Sequence, residues 1–398
     1  MVSSTLTGVR ILDLTRMLAG PFGTQILADM GADVIKIEDP EGGDPIREMG
    51  PPWLRGPDDE AASPYFLEIN RNKKSVTLDP KSTDDRERFL HLVATADAVV
   101  DNFRPGVMAR LGLDPPSLRR VKKDIITCSI SAFGNTGPYR DLPAFDLILQ
   151  AMGGGMSITG PLQGDPVRMG IPIGDLAGGM YLAIAVNGAL FRRERTSEGQ
   201  HVDLGLLDLQ VSLLTYLAAY HWADGRVPGT SGTGHQTVVP YDMFEAGEGT
   251  RLVVAVFTDR FWPSFCEALE LPELASAYRT NAERLAARDE VLSRLQARLS
   301  QRPAGHWLKA LWERGVPAGP VNSIAEVLQD PQVEARGMVA TTSSAHAAAG
   351  TYRCLGSPID VGEGHAYRPA PLLGEHNNEI LGDLSAVGSN RPVVTHGQ

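Results

Sequence analysis

Short runs of apolar residues alternate with segments of helical periodicity over the first 133 residues of the chain. Runs rich in Val, Ile and Leu predict buried β-strands. These strands are Val9–Leu14, Asp33–Glu38, Ala98–Phe103 and Asp124–Phe133. Helices are predicted from about Ala19 to Met30, from Asp84 to Ala94, and over a short stretch after Pro105. Because strands that alternate with helices form parallel βαβ units with right-handed crossovers, the pattern predicts an α/β fold.

The pattern changes in the second half of the chain. The predicted elements there are a strand over Gln200–Leu204, a long apolar helix over Leu206–Trp222, a β-hairpin of Tyr241–Ala246 and Arg251–Phe257, and an amphipathic helix over Ala282–Gln301. A loop rich in Gly, Pro and Thr, from Asp224 to Thr237, separates the apolar helix from the hairpin. We therefore expect a smaller α+β domain from about residue 225 to 330.

The most apolar stretch, Leu176–Phe191, does not suit a membrane span. It has 16 residues and is interrupted by glycines and by Asn187, whereas a span needs about 20 residues. The stretch predicts a buried core helix, and we expect no membrane partner.

Charge and cysteine usage narrow the class of protein. The 48 Asp and Glu residues exceed the 37 Lys and Arg residues, so the net charge is −11. Because nucleic acids and anionic membranes require a basic face, we expect neither as a partner. The three cysteines, Cys128, Cys266 and Cys354, form no CxxC pair, and no signal peptide precedes the first strand. These features predict a cytoplasmic protein without disulfides or a metal site.

Two glycines follow the first predicted strand, Gly20 and Gly23, and Glu38 ends the second. This spacing is similar to that of a dinucleotide-binding fold. However, Leu18 stands where the first glycine of the motif belongs, and Pro21 has no N–H to donate to a phosphate. The segment therefore favours an ordinary strand-to-helix turn, and an NAD-dependent oxidoreductase stays an alternative.

A basic stretch, Asn70–Ser75, precedes the strand-like Val76–Leu78. Arg104 and Arg110 lie near the end of the third predicted strand. Such groups suit a phosphate-bearing ligand, and ligands of open α/β sheets collect at strand carboxyl ends. The alternative for a basic run is a solvated face.

Asp175 lies between a Gly- and Pro-rich turn and the apolar helix. The position is typical of a helix N-cap, and capping is one interpretation. The other is a reactive carboxylate at a glycine-lined site, where small neighbours admit a bulky thioester and backbone N–H groups stabilise an oxyanion.

The chain resembles the class III CoA-transferases, of the formyl-CoA transferase and carnitine CoA-transferase type, from about Leu6 to Leu381. The segments that carry the resemblance are Leu6–Leu14, Ala19–Pro21, Gly31–Glu38, Asn70–Ser75, Asn102–Gly106, Ser131–Gly134, Gly174–Asp175, Gly315–Val321 and Leu373–Leu381. The resemblance implies an interlocked homodimer. It also implies a large Rossmann-like, CoA-binding domain of residues 1–222 and 331–398, with a small α+β domain of residues 223–330.

The resemblance also implies a chemistry. Asp175 would attack an acyl-CoA thioester, and CoA would pass through aspartyl-anhydride and aspartyl-CoA intermediates to a carboxylic acid. No metal or redox cofactor is implied. The implied CoA contacts are Met17, Leu18, Ala19, Asn70, Lys73, Asn102, Phe103, Arg104 and Arg110. Gly232 and Gly234 occupy the place of a glycine-rich lid in the segment Ser231–His235.

Departures from the family pattern bear on the substrate. Asp39 and Ser131 stand where formyl-CoA transferases carry an arginine and a lysine, which argues against oxalate and formate as the substrate pair. We expect succinyl-CoA as the donor and a dicarboxylic or hydroxy acid as the acceptor.

The related α-methylacyl-CoA racemases use a His-Asp dipeptide, and here the matching pair is Phe145-Asp146. Because phenylalanine cannot move a proton, we favour transfer over racemisation. Asp146 is interpreted as a structural helix-start residue, and His235 and His306 as structural or surface residues. A non-catalytic CoA-binding protein is a further alternative, against which Asp175 in its glycine setting argues.

Overall fold

The computed structural model describes residues 5–57, 59–344, 346–360 and 367–388. Its strands are β1 (Arg10–Asp13), β2 (Asp33–Glu38), β3 (Leu54–Arg55), β4 (Ala61–Ala62), β5 (Lys74–Thr77), β6 (Ala98–Asp101), β7 (Ile126–Ser131), β8 (His201–Gly205), β9 (Tyr241–Glu245), β10 (Arg251–Ala255), β11 (Ala318–Pro320), β12 (Val339–Ser343) and β13 (Thr351–Leu355).

Its helices are α1 (Ala19–Asp29), α2 (Pro64–Ile69), α3 (Thr83–Thr95), α4 (Val107–Arg110), α5 (Pro115–Val121), α6 (Asp146–Met152), α7 (Ile173–Thr196), α8 (Leu206–Ser212), α9 (Tyr216–Asp224), α10 (Trp262–Ala268), α11 (Pro272–Ala277), α12 (Asn281–Ala286), α13 (Arg288–Leu299), α14 (Ala304–Glu313), α15 (Ile324–Val327), α16 (Pro331–Ala335) and α17 (Asn377–Gly388). Short 3₁₀ turns cover Pro45–Glu48, Met156–Ile158 and Asp259–Phe261.

A six-stranded sheet in the order β5-β2-β1-β6-β7-β8 forms the centre of one compact unit. Every neighbouring pair in it is parallel, which confirms the predicted α/β fold. The chain moves outward from β1 through β2 and β5 on one side, and through β6, β7 and β8 on the other. The carboxyl ends of β1 and β6 therefore border the switch point, where ligands of open α/β sheets bind.

Alternate residues of β1 explain the layers on both faces of this sheet. Ile11 packs in a core that includes residues of α1 and α7, whereas its neighbour Leu12 packs in a core that includes residues of α3 and α5. Both side chains are fully buried. Successive side chains of a strand point to opposite faces, so adjacent apolar residues such as Ile11 and Leu12 lead to a sheet covered on both sides.

Glycines let α7 lie against α1 at short range. A Cβ atom added to Gly179 would lie 2.7 Å from the carbonyl oxygen of Ala19, and one added to Gly23 would lie 2.6 Å from that of Gly179. By length and composition alone α7 could cross a membrane, but half of its most apolar window is buried inside the fold. It occupies the place of the predicted core helix.

Two predicted helices are interrupted. The segment 206–222 forms α8 and α9, because Thr215 adopts a left-handed φ of 45° between them. The segment 282–301 forms α12 and α13, because Ala287 leaves helical geometry at φ −107° and ψ 30°. The antiparallel hairpin of β12 and β13 was not predicted.

The chain separates into two compact units. The first comprises residues 1–155, 169–216 and 331–398, and the second comprises residues 156–168 and 217–330. The second unit holds the three-stranded sheet β11-β10-β9, which includes the predicted hairpin, and its core includes Trp262, Phe265 and Trp307. This division differs from the predicted boundaries, since it places residues 156–168 and 217–222 in the smaller unit. Residues 156–168 fold against the segment after 224: the amides of Gly232 and Gln163 donate to the carbonyls of Gly160 and Thr230.

Candidate active site

The turn between β1 and α1 is held by the loop after β6. The side-chain oxygen of Asn102 accepts the Arg16 amide at 2.9 Å, and its nitrogen donates to the Arg16 carbonyl at 2.7 Å. Met17, the next residue, takes a left-handed φ of 68°. A side chain rarely adopts this conformation unless its surroundings impose it. The two strand ends at the switch point are thus joined through one asparagine.

Asp175 faces this turn across a cavity of about 180 Å³. Its lining residues are Met17, Leu18, Ala19, Asn102, Ile130, Ser131, Ala132, Ala144, Phe145, Asp175 and Leu206. The structure therefore brings together Asp175 and four of the residues that the resemblance implied as CoA contacts, Met17, Leu18, Ala19 and Asn102.

The Asp175 side chain does not cap its helix. Asp175 is the third residue of α7. The N-cap residue is Pro172, whose side chain makes no capping hydrogen bond. Instead, Asp146 from the start of α6 accepts the Gly174 amide at 2.8 Å and the Asp175 amide at 3.4 Å. The capping interpretation of Asp175 is wrong. Because a neighbouring carboxylate satisfies these amides, the Asp175 side chain is left for the cavity.

Asp146 is the structural residue that was predicted, and its role reaches beyond its own helix. Its second carboxylate oxygen accepts from the side chain of Gln150 at 2.6 Å. Gly174 lies tightly between this group and Gln210, since an added Cβ would approach Gln210 Nε2 to 2.5 Å and Asp146 Oδ1 to 2.9 Å. Only glycine fits at position 174 without displacing the carboxylate that holds the first turn of α7.

The electrostatic setting of Asp175 disfavours its charge. Burial, and then the charge of Asp146, raise the pKa of the Asp175 carboxyl to about 7. Burial, and then the charge of Asp175, raise the pKa of the Tyr65 phenol to about 12. Among the described residues, no ion pair includes Asp175. A carboxylate whose charge is partly desolvated and has no ion-pair partner is more basic, and hence more nucleophilic, than an ordinary aspartate.

A second cavity, of about 200 Å³, adjoins the carboxyl ends of β6 and β7. Phe103 and Arg104 are among its lining residues, and Ser131 lines both cavities. The Ser131 hydroxyl is buried and has no hydrogen-bond partner within the described part of the chain. Arg110 is exposed at the end of α4 and does not line this cavity.

A family model identifies the chain. Residues 6–377 match the model described as CoA-transferase family III. The chain belongs to CoA-transferase family III. The predicted family and the predicted class of enzyme are both confirmed.

Full-length relatives and a solved structure agree with this membership. The chain is 39% identical over 388 residues to a succinate–glutarate CoA-transferase of Agrobacterium fabrum, covering 96% of each chain. It is 42% identical over 393 residues to a succinyl-CoA:mesaconate CoA-transferase of Haloarcula hispanica, covering 97% of this chain and 98% of the relative. A solved CAIB/BAIF family protein from Brucella suis superimposes with a TM-score of 0.84 at 35% identity, covering 96% of this chain and 100% of that one.

Asn70 and Lys73 of this family III transferase lie outside both cavities. Their side chains are fully buried, and the Lys73 ammonium donates to Asp13 at 3.1 Å, to the Pro21 carbonyl at 2.9 Å and to Asn70 at 2.9 Å. All three donors of the ammonium are thus used inside the protein. Neither side chain exposes an atom to a ligand in this structure, and direct CoA contact by these two residues stays a prediction that their burial does not favour.

The predicted lid segment lies in the second unit and is held at several points. Gly232 has a φ of 62°, and its amide donates to the Gly160 carbonyl at 3.0 Å. Gly234 donates to the Ser231 carbonyl at 3.3 Å, and the Thr233 hydroxyl donates to Asp242. The covering role of Gly232 and Gly234 stays a prediction.

The two histidines considered from the sequence have structural partners. His235 accepts the Thr237 amide at 3.1 Å, and His306 meets Trp307 edge to face with ring centroids 4.9 Å apart. Neither lines the Asp175 cavity.

Sequence reasoning missed the residues that support the site. Asp146 was not linked to α7, and Asp44 was not singled out, although Asp44-Pro45 is a common start of a helical turn. Gln210 was also missed: it is buried beside Gly174, and its Nε2 has no hydrogen-bond partner among the described residues. No local pattern marks Gln210, because its neighbour Gly174 is distant in the chain.

Proposed function

We propose that this protein transfers CoA from an acyl-CoA donor to a carboxylic acid through covalent intermediates on Asp175. The observation that carries the proposal is the placement of Asp175 across a cavity from the β1–α1 turn. Family membership supplies the class of reaction, and the site supplies a nucleophile and a neighbouring helix N-terminus.

The first half of the reaction exchanges the thioester for an enzyme-bound one. A carboxylate oxygen of Asp175 attacks the thioester carbon, the carbon–sulfur bond breaks, and CoA leaves as a thiolate. The thiolate then attacks the Asp175 carbonyl carbon of the resulting anhydride. This step forms the aspartyl-CoA thioester and releases the donor acid as a carboxylate.

The second half runs these steps in reverse with another acid. The acceptor carboxylate attacks the aspartyl thioester and expels the thiolate, which then attacks the acyl carbon of the new anhydride and regenerates Asp175. Each addition places negative charge on a carbonyl oxygen. The first amides of α1, at Ala19 and Gly20, have no partner inside their own helix and suit such an oxyanion. These exchanges between carboxylate and thiolate balance without a metal or redox cofactor, and we propose that none takes part.

We propose succinyl-CoA as the donor and a dicarboxylic acid as the acceptor. The names of the Agrobacterium and Haloarcula relatives support this choice, since both refer to dicarboxylic acids. The unpartnered Ser131 hydroxyl offers a small polar group at the boundary of the two cavities. The lysine that occupies this place in formyl-CoA transferases is longer and charged, which separates this site from the oxalate and formate pattern.

Racemisation is the less suitable alternative. Phe145 lines the Asp175 cavity and is 72% exposed, at the position where the racemases carry histidine. Without that imidazole, the site lacks the second acid–base group that proton exchange at the α-carbon requires.

We also propose that two copies of the chain form the interlocked homodimer of the family, in the cytoplasm. Large apolar side chains stay exposed along α7, namely Met180, Tyr181, Ile184 and Phe191. Monomeric proteins rarely expose a continuous apolar face of this kind, so a second copy is a suitable cover. A single sedimentation coefficient that corresponds to a monomer would contradict this part of the proposal.

The covalent intermediate is the decisive test. The protein is incubated with succinyl-CoA and digested with trypsin, which releases Asp175 in the peptide Met169–Arg192. We expect a mass increase on this peptide that hydroxylamine removes. Asp175→Ala should form no adduct, whereas the control Asp84→Ala, an exposed residue in the first turn of α3, should form it normally. Transfer by Asp175→Ala at the rate of the unaltered protein would refute the mechanism.

A further inference from the structure

A fully buried ion pair lies beneath the β1–α1 turn. The Lys36 ammonium donates to Asp44 at 2.9 Å and to the Thr15 carbonyl at 2.8 Å, and neither charged side chain is exposed to solvent. Burial opposes the ammonium, but the charges of Asp44 and Asp13 outweigh it and raise the pKa of Lys36. The Lys36 ammonium is therefore held in its charged form inside the protein.

The Asp44 carboxylate connects this pair to the substrate turn. One oxygen binds Lys36, and the other accepts the amide of Met17 at 3.1 Å. Met17 is the residue with the left-handed φ, and it begins the segment Met17–Ala19 that lines the Asp175 cavity. A strained backbone of this kind persists only where its surroundings determine it strongly, and the Asp44 contact does so here.

A second buried pair holds the other end of the same turn. Lys73 donates to Asp13 and to the Pro21 carbonyl, while Asp13 accepts the Thr15 amide at 2.9 Å. Backbone groups from Thr15 to Pro21 are thus bound to four buried charges. Buried ion pairs add little to stability, and apolar residues of similar shape often replace them without loss. A positioning role explains these contacts better than a contribution to stability does.

We propose that Asp44, held in place by Lys36, is a positioning residue that fixes Met17 in its left-handed conformation and so presents the Met17–Ala19 segment to the acyl-CoA thioester. The inference rests on the function proposed above, because it concerns the same cavity. It assigns to Asp44 a role exerted through the Met17 amide, without contact with substrate.

Two double variants separate positioning from folding. Lys36→Met/Asp44→Asn removes both charges but keeps an oxygen that accepts the Met17 amide. Lys36→Met/Asp44→Leu has a side chain of similar shape without that oxygen. Because neither variant leaves a buried charge unpaired, both should fold, and thermal unfolding checks this. The amides of Met17 and Ile46, which both donate to this oxygen of Asp44, keep their acceptor in the Asn variant and lose it in the Leu variant.

The expected result is a difference in kinetics between two folded proteins. The Asn variant should keep kcat/KM for succinyl-CoA within a few-fold of the unaltered protein, whereas the Leu variant should lose on the order of tenfold. The loss should appear in the adduct-forming step and in the KM for succinyl-CoA, while the KM for the acceptor acid changes little. A folded Leu variant with kcat/KM equal to that of the Asn variant would overturn the inference.

The failure of this inference is distinguishable from the failure of the proposed function. If Asp175→Ala loses both adduct and transfer while the Leu variant equals the Asn variant, the function stands and the role of Asp44 falls. If Asp175→Ala transfers normally, the covalent mechanism itself falls, and the Asp44 inference falls with it.

Discussion

Two carboxylates on the same side of the sheet, Asp13 fully buried and Asp175 half-buried, have opposite properties. Burial and Asp146 raise the pKa of Asp175 to about 7, whereas Asp13, despite a burial that favours its neutral form, has a pKa lowered to about 2 by Lys73, Lys36 and two hydroxyl donors. Burial disfavours the charge in both cases. The neighbouring charges decide the outcome: two lysines stabilise the charge of Asp13, whereas the charge of Asp146 opposes that of Asp175.

The largest effect on the rate of CoA transfer should come from replacing Asp175. Asp175→Asn should reduce transfer by roughly a thousandfold or more, since the nucleophile is lost. The melting temperature should stay unchanged or rise, because a disfavoured charge is removed from the folded state. Rates of succinyl-CoA consumption and thermal unfolding test both halves of this expectation. A large fall in stability would mean that Asp175 serves the fold as Asp13 does.

The next largest effect should come from removing the lysine that pairs with Asp13. Lys73→Met leaves Asp13 buried next to one cation fewer and should lower the free energy of unfolding by about 3–5 kcal/mol. The half-exposed pair of Arg10 and Asp33 offers a matched control, since Asp33→Asn should change stability by only about 0–1 kcal/mol. Urea denaturation measures both. Equal, small changes in the two variants would contradict the structural role of the buried pair.

A smaller effect is expected on the pH profile. The charge of Asp146 raises the pKa of Asp175, so Asp146→Asn should move the acidic limb of kcat/KM to lower pH. The Asn side chain keeps an oxygen for the Gly174 amide, so α7 keeps its start. The change in kcat/KM at any pH should be about tenfold or less. The pKa of Tyr65 is raised by burial and by the charge of Asp175, and Tyr65→Phe controls for the contribution of this phenol.

An unchanged acidic limb in Asp146→Asn would show that burial alone sets the pKa of Asp175. A limb that moves to higher pH would show that the helix start, and not the charge, was disturbed.

The smallest effect is the contribution of each carboxylate to stability across the pH range. The pKa of Asp13 is lowered on folding, so its contribution is present above its unfolded value and is lost as pH falls toward about 2. The pKa of Asp175 is raised, so its contribution is present at acidic pH and is lost as pH rises through about 7. The stabilities of the unaltered protein and of Asp175→Asn should therefore differ by a constant amount below the ordinary value of 3.8, change relative to one another as pH rises from 3.8 to about 7, and differ by a new constant amount above it.

Local patterns predicted most of the sheet because most of its strands contain adjacent apolar residues, as in Ile11–Leu12, Val34–Ile35 and Val99–Val100. The strand Asp33–Glu38 has the predicted bounds, and β1, β6, β7 and β8 lie within or one residue beyond theirs. The breaks at Thr215 and Ala287 could not be predicted, since both segments keep an apolar helical pattern on each side. Backbone conformation at one residue decides such breaks, and the surrounding packing sets it.

The site was predicted in part for a similar reason. Asp175, Met17, Leu18, Ala19 and Asn102 meet at one cavity, as residues at strand ends and helix starts of one sheet should. Asn70 and Lys73 belong to a basic run that looks suitable for a phosphate, yet they are buried. Sequence spacing carries no information about which side of a turn faces solvent.

By itself, the sequence determined the family, the order of the elements around the parallel sheet and the identity of the candidate nucleophile. Apolar periodicity and short motifs are local, so they can be recognised from neighbouring residues without knowing which distant residues they contact. Only the tertiary structure decided that Asp146 holds the start of α7, that Asp44 holds Met17, and that Lys73 neutralises Asp13 rather than facing a ligand. Charge and pKa depend on what lies within a few ångströms in space, and folding brings those partners from distant parts of the chain.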